Sequence, residues 1–301
     1  MIFEDISEFE NIVKTNDIKK ALSYIKHSYS SQLFSTKKRS VLMVSGHQVK
    51  HLNKIDSLPA DVIMLNLEDG VPKEKKEIAR IMTAVFLSNL KNSGKEIVIR
   101  VNPINEGGLE DIKFLDKFSF NAFRIPKVNS IEEIDDVFMK TDKEIHASIE
   151  TKEAFFNLKE LKHPKLTTFY IGIYDLLNEL KISHSVITPE NPLIHKILSD
   201  FSLTSRYLNI TPIGFVYQHY KDLEGFKKWC LIQKNLGIQG VGCITPAQCE
   251  IANKIFDEDL EFAKIIVERF EKEGPFTFDG LYVDEPIYQN YKFLLSNFVT
   301  Y

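Results

Sequence analysis

The sequence predicts an α/β protein built as a TIM (β/α)8 barrel, with an N-terminal helical extension and a C-terminal helical appendage. Three observations carry this expectation. Eight short apolar, β-branched runs recur along the chain, and segments of helix length with one apolar face lie between them. No G-x-G-x-x-G follows any early run, which removes the fingerprint of an open dinucleotide-binding sheet. Continuous apolar strands separated by helices belong to a parallel sheet buried on both faces, and eight such units point to a closed barrel.

Taken in order, residues 1–38 read as a helical lead-in, with Ile18, Leu22 and Ile25 at helical spacing, ending in a mostly polar stretch at 28–38. Residues 39–257 form the barrel. Its strands are expected at 40–45, 62–67, 97–101, 122–126, 145–149, 168–172, 212–216 and 240–244. The helix at 74–90 places Ile78, Ile81, Met82, Val85 and Phe86 on one face. The helix at 130–139 opens with Ser130 and Glu133 in capping-box spacing. A third start combines Thr245 as N-cap, Pro246 at the first helical position and Gln248 at the third. Residues 258–301 add an amphipathic helix (Phe262, Ile265, Ile266, Phe270), a tail at 276–286 and a last helical stretch to Phe298. That is more chain than a minimal barrel needs, and it is expected to pack on the barrel or on a neighbouring subunit.

Composition excludes several classes. Of 301 residues, 44% are hydrophobic and 27% charged, the ordinary balance of a globular protein. The net charge is −4 and the lysines are scattered among acids, so no nucleic-acid footprint is present. No stretch reaches the roughly 18–20 apolar residues that cross a bilayer. The acidic first ten residues lack the order of a signal peptide, so a cytoplasmic location is expected. Cys230, Cys243 and Cys249 are odd in number and lack C-x2-C spacing, which argues against a zinc site or a disulfide framework.

Barrel enzymes carry their chemistry at the C-terminal ends of the strands. Those positions hold Glu68 and Asp69 after the second strand, Arg100 and Asn102 at the third, and Lys127 after the fourth. Glu150 follows the fifth, Asp175 the sixth, Tyr217, Gln218 and His219 the seventh, and Thr245 the eighth. Mg2+ takes one or two protein carboxylates and keeps positions for water and substrate oxygens. Glu150 and Asp175, from adjacent strands, are the natural pair. A metal held there chelates a 2-oxo or 2-hydroxy acid and acts as a Lewis acid when a bond breaks. Arg100 either clamps the substrate carboxylate or forms a structural ion pair with Glu68 or Asp69.

With these residues in place, the chain resembles the citrate lyase β-subunit group of the HpcH/HpaI aldolase/citrate lyase family, from Arg39 to about Leu295. The pieces, in family order, begin with Arg39-Ser-Val-Leu and Leu67-Glu-Asp-Gly-Val, the latter followed by Lys76 and Ala79-Arg80. Then come Val98-Ile-Arg-Val-Asn102, Ile125-Pro-Lys127, Ile149-Glu-Thr151 and Gly172-Ile-Tyr-Asp-Leu176. Thr245-Pro-Ala-Gln248 and Asp279-Gly-Leu-Tyr-Val-Asp284 complete the set. The resemblance implies Mg2+, with Mn2+ as its substitute, on Glu150 and Asp175. It also implies substrate contacts from Arg100, Glu68, Lys127 and Thr245, and catalytic roles for Arg100, Asp69 and Asp284, the last reaching into a neighbouring subunit of a homo-oligomer, a trimer by preference. The implied reaction cleaves or forms a C–C bond in a small 2-oxo or 2-hydroxy acid, or in its citryl-, malyl- or citramalyl-thioester, through a metal-stabilised enolate.

Two departures bear on substrate. Asn66 stands where the family has the first acid of Asp-Leu-Glu-Asp, and Val241 and Thr245 stand where it has Lys and His. The metal pair is kept while the carrier side differs. Thioester lyase, free-acid aldolase, thioester hydrolase and a specialised biosynthetic relative that does not use coenzyme A all stay open. His47 and His51, four apart after the first strand, read as surface histidines because no zincin glutamate separates them.

Overall fold

The computed structural model describes residues 3–26, 37–90, 94–257 and 260–298, with side chains as far as 295. Most of the polar stretch at 28–38 lies outside the described residues. Helices α1 (Ile6–Thr15) and α2 (Ile18–Ser23) come first. The buried apolar face lies on α1, through Phe9, Ile12 and Val13. On α2 only Ala21 is buried, and Leu22 is exposed. Asp5 and Asp17 cap the two helices, so Asp17 ends the first periodic run and opens a second.

The barrel then proceeds as β1 (Ser40–Ser45), α3 (Val49–Leu52), β2 (Val62–Asn66), α4 (Lys76–Asn89), β3 (Glu96–Arg100), α5 (Gly108–Leu115), β4 (Ala122–Ile125) and α6 (Glu132–Phe138). It continues with β5 (Glu144–Ile149), α7 (Lys152–Phe156), β6 (Leu166–Ile171), α8 (Ile173–Glu179), α9 (Pro192–Tyr207), β7 (Thr211–Gly214), α10 (Leu223–Asn235), β8 (Gly240–Cys243) and α11 (Pro246–Ile255). All eight strands pair in parallel with their sequence neighbours. Ser40↔Val241 and Leu42↔Cys243 close β1 on β8. Each strand starts and ends within two residues of its expected position.

The capping box expected at Ser130 and Glu133 is replaced by another contact. The Glu133 carboxylate takes the backbone and side-chain N–H groups of Asn129 instead, and α6 has no side-chain cap. The box at Thr245 and Gln248 forms in full.

Two apolar layers follow from strands buried on both faces. Leu42, Ile63, Leu65, Ile97, Ile99 and Phe123 face the helices, whereas Val41, Val62, Met64, Val98, Ala122, Tyr170 and Ile213 fill the barrel axis. At the barrel floor Lys38 pairs with Glu96 at 2.7 Å, both nearly buried. His146 is fully buried there, with Nδ1 3.3 Å from the Tyr170 hydroxyl and Nε2 3.8 Å from Glu144 Oε2. Burial holds its pKa below the ordinary histidine value, so the neutral ring is the native form. A base whose folded pKa is depressed stabilises the fold above its unfolded pKa, and that contribution is lost as pH falls. The urea midpoint is therefore expected to drop between pH 7.5 and 5.5, and the drop should shrink in His146→Gln.

Beyond the barrel, α12 (Leu260–Glu273), β9 (Phe276–Phe278), β10 (Leu281–Val283) and α13 (Glu285–Phe298) form a helix–hairpin–helix unit. Residues 276–286, expected as a tail, contain a hairpin. Asp279 and Gly280 at its turn both take positive φ (46° and 78°), the conformation that a two-residue hairpin turn requires. This unit has its own apolar centre in Ile266, Val267, Phe276, Val283 and Tyr288. Among the described residues no helix is long and apolar enough to cross a membrane.

Candidate active site

The C-terminal rim of the barrel holds a cavity of about 580 Å³, lined by loops that follow β3, β4, β5 and β6. Glu150, Asp175 and Lys127 all line it. Glu150 directly follows β5 and is 6% exposed. Its Oε1 accepts the Lys127 backbone N–H at 2.8 Å, and Oε2 has no protein partner among the described residues. Burial raises its pKa, against the lowering pull of Arg124 and the Lys127 N–H. Asp175 sits exposed in the first turn of α8.

Gly172, between β6 and α8, makes this placement possible. A Cβ there would lie 2.5 Å from the Glu150 Cβ and 2.6 Å from Oε2, so any side chain would displace the carboxylate. Thr151 fixes the same turn from the other side: its hydroxyl donates to Val128 O at 2.8 Å and accepts from Ala154 N.

Arg100, at the end of β3, lies in a second, buried network beside this one. Its Nε donates to Asn66 Oδ1 at 2.8 Å, and its Nη2 reaches Asp69 O at 3.2 Å and Glu68 Oε2 at 2.9 Å. Of the two roles the sequence left open, the ion pair with Glu68 is the one this structure shows. Asn66 suits the position better than an acid would. Its Oδ1 accepts from Arg100 and from Glu68 N, while its Nδ2 donates to Asp69 O, a bond a carboxylate cannot make. Lys76 pins the same loop through Leu67 O and Glu68 O. Lys127 joins the two networks, with Nζ 3.5 Å from Glu68 Oε1. Burial lowers the pKa of Lys127, but Glu68 and Asp69 outweigh it and hold the ammonium above its ordinary value.

The remaining expected residues lie apart from the cavity. The Asp69 carboxylate is exposed at the β2 loop. Thr245 spends its hydroxyl on Gln248 N, at the start of α11. Asp284 accepts from Ile287 N at 3.3 Å, at the start of α13. Val241 is fully buried in the helix-facing layer and does not point into the barrel, so its exchange for the family lysine removes nothing from the interior. Tyr217 donates to Asp222 at 2.7 Å. His47 precedes the short helix α3, is half-buried and stands off the cavity, while His51 is exposed. Sequence reasoning missed Gly172 and an inward-facing arginine, Arg124. The latter's signal is a lone cation in an otherwise apolar strand.

The donor set fits a hard divalent cation. A nine-tenths-buried carboxylate with one free oxygen faces an open cavity beside an exposed second carboxylate, and no sulfur or imidazole lines that cavity. Fold and site together define a closed parallel barrel with a carboxylate pair at the C-terminal ends of its strands. The chain belongs to the HpcH/HpaI aldolase/citrate lyase family, whose model matches residues 39–246, and is an enzyme of the citrate lyase β type.

It is 30% identical over 257 residues to (3S)-malyl-CoA thioesterase of Cereibacter sphaeroides, covering 82% of this chain and 89% of that protein. It is 27% identical to citrate lyase subunit beta of Haemophilus influenzae, covering 86% and 96%. Among solved structures, CitE of Mycobacterium tuberculosis in complex with magnesium, acetoacetate and coenzyme A superposes with a TM-score of 0.69 at 20% identity. That match covers 86% of this chain and 97% of CitE.

Proposed function

We propose that this protein is a Mg2+-dependent carbon–carbon lyase acting on a short 2-oxo or 2-hydroxy acid or its acyl-thioester. The observation that carries the reading is Glu150, buried, oriented by the Lys127 N–H and left with one oxygen free on the cavity that Asp175 also lines. A divalent cation held by this pair supplies a Lewis acid for the charge that develops on substrate oxygens. The chain's own residues do the rest. Arg100, fixed by Asn66 and Glu68, keeps its Nη1 edge for substrate, and Lys127 balances Glu68 beside it. Asp69, exposed on the β2 loop, is a further catalytic residue in this reading. Asp284 serves as acid or base only from a neighbouring copy, which makes a cytoplasmic homo-oligomer, a trimer by preference, part of this reading.

Incubation with malyl- or citramalyl-thioester and Mg2+ tests it. Glyoxylate or pyruvate should appear, and EDTA should abolish the reaction. A second reading, thioester hydrolysis, is supported by the similarity to malyl-CoA thioesterase. It takes over if free malate or citramalate accumulates with no 2-oxo acid. A free-acid aldolase would instead release a 2-oxo acid only from substrates that lack the thioester.

A further inference from the structure

Arg124 lies one strand from Arg100, as its register partner, and projects into the barrel axis directly beneath the site. Its Nε donates to Ser148 Oγ at 2.9 Å, and Ser148 lies on the same face of β5 as Glu150, two residues before it. Its Nη1 reaches Met64 Sδ at 3.2 Å, and the guanidinium lies over the Tyr170 ring, 4.1 Å from its centroid. The residue is 6% exposed. It makes no ion pair, and its Nη2 has no acceptor, among the described residues. Arg100 is different: Glu68 neutralises it and Asn66 fixes its Nε. The free guanidinium of this site is therefore the deeper one.

A buried cation is unfavourable unless it is paired, and the groups in contact with this one are a hydroxyl, a thioether and a ring face, while Glu150 and Glu68 act on it from beyond ion-pair distance. Burial, followed by the nearby Arg100, pushes the Arg124 pKa down to about 10 against the raising pull of Glu150, which leaves it charged at neutral pH. Arg124 also lines a chamber of about 20 Å³, walled otherwise by Val41, Met43, Met64, Tyr170 and Val216 among others. Met43, within β1, and Val216, two residues past β7, are only half-buried. The chamber's volume admits about one water-sized oxygen. That is room for a single ligand oxygen, such as one of a carboxylate.

We propose that Arg124 is a substrate-binding residue, the guanidinium that receives a carboxylate oxygen of a short 2-oxo or 2-hydroxy acid at the floor of the site. This rests on the lyase reading above and adds to it a second cation, placed deeper than Arg100. In a buried chamber the resulting charge-assisted hydrogen bond is worth far more than at the rim.

The test compares the full-length protein with Arg124→Met and Arg124→Lys, each saturated with Mg2+, by calorimetric titration with oxaloacetate and by thermal melting. Arg124→Met should bind oxaloacetate on the order of 100-fold more weakly, and Arg124→Lys should recover part of the loss. The Tm of Arg124→Met should stay level or rise, because an apolar chain of similar length replaces a buried charge that has no contact ion pair. Binding by Arg124→Met within about threefold of the parent would overturn the assignment. So would a Tm loss of about 10 °C or more, or failure to fold, because the arginine would then serve the fold and not a ligand. A parent protein that binds no oxaloacetate in the presence of Mg2+ would instead remove the lyase reading itself.

Discussion

Glu150→Gln is expected to lower Mg2+ and Mn2+ affinity by at least about 100-fold, because it removes both a charge and a ligand from a site built on two carboxylates. The fold should tolerate the change. Glutamine Oε1 can still accept the Lys127 N–H, and the buried charge that desolvation penalises disappears. The melting temperature should therefore hold or rise while metal binding is lost. Asp175→Asn, at an exposed position, should weaken the metal by a smaller factor, about tenfold. Calorimetric titration of each variant with Mn2+ checks both, and unchanged affinity in Glu150→Gln would falsify the metal assignment.

Arg100→Met is expected to act on stability as strongly as Glu150→Gln acts on metal. It strands the Glu68 carboxylate, whose side chain is 4% exposed, and takes the donor from Asn66 Oδ1 and Asp69 O. Breaking one side of a buried ion pair costs about 3–5 kcal/mol. At roughly 2–4 °C per kcal/mol for a chain of this size, the melting temperature should fall by on the order of 10 °C. Lys127 remains 3.5 Å from Glu68 and moderates the loss. The double variant Arg100→Met/Glu68→Met should regain part of it, since the unpaired charge is then gone. If the double variant melts no higher than the single one, the pair is not the source of the effect.

The opposite responses of Glu150 and Arg100 show what was legible in the sequence. Strand positions were, because a strand buried on both faces reads as an unbroken apolar run whichever way its residues point. For the same reason the facing of single residues was not. Val241 lies in the helix-facing layer and Arg124 on the axis, and no alternation in their strands reveals it. The rim residues Glu150, Asp175 and Lys127 could be placed by their position after a strand. Whether Arg100 was free or committed to Glu68 depended on the return path of the β2 loop, which Asn66 and Lys76 fix through contacts distant in sequence. The Asp279–Gly280 turn carried a hairpin signal, but strands of three residues are too short to show a period.

The unit formed by α12, the hairpin and α13 has a separate apolar centre, and it lies past Pro246, where the family match stops. A core that is not shared gives this unit a stability of its own, set by Ile266, Val267, Phe276, Val283 and Tyr288 and not by the barrel layers. Asp284, at the joint between hairpin and last helix, takes its position from that second core.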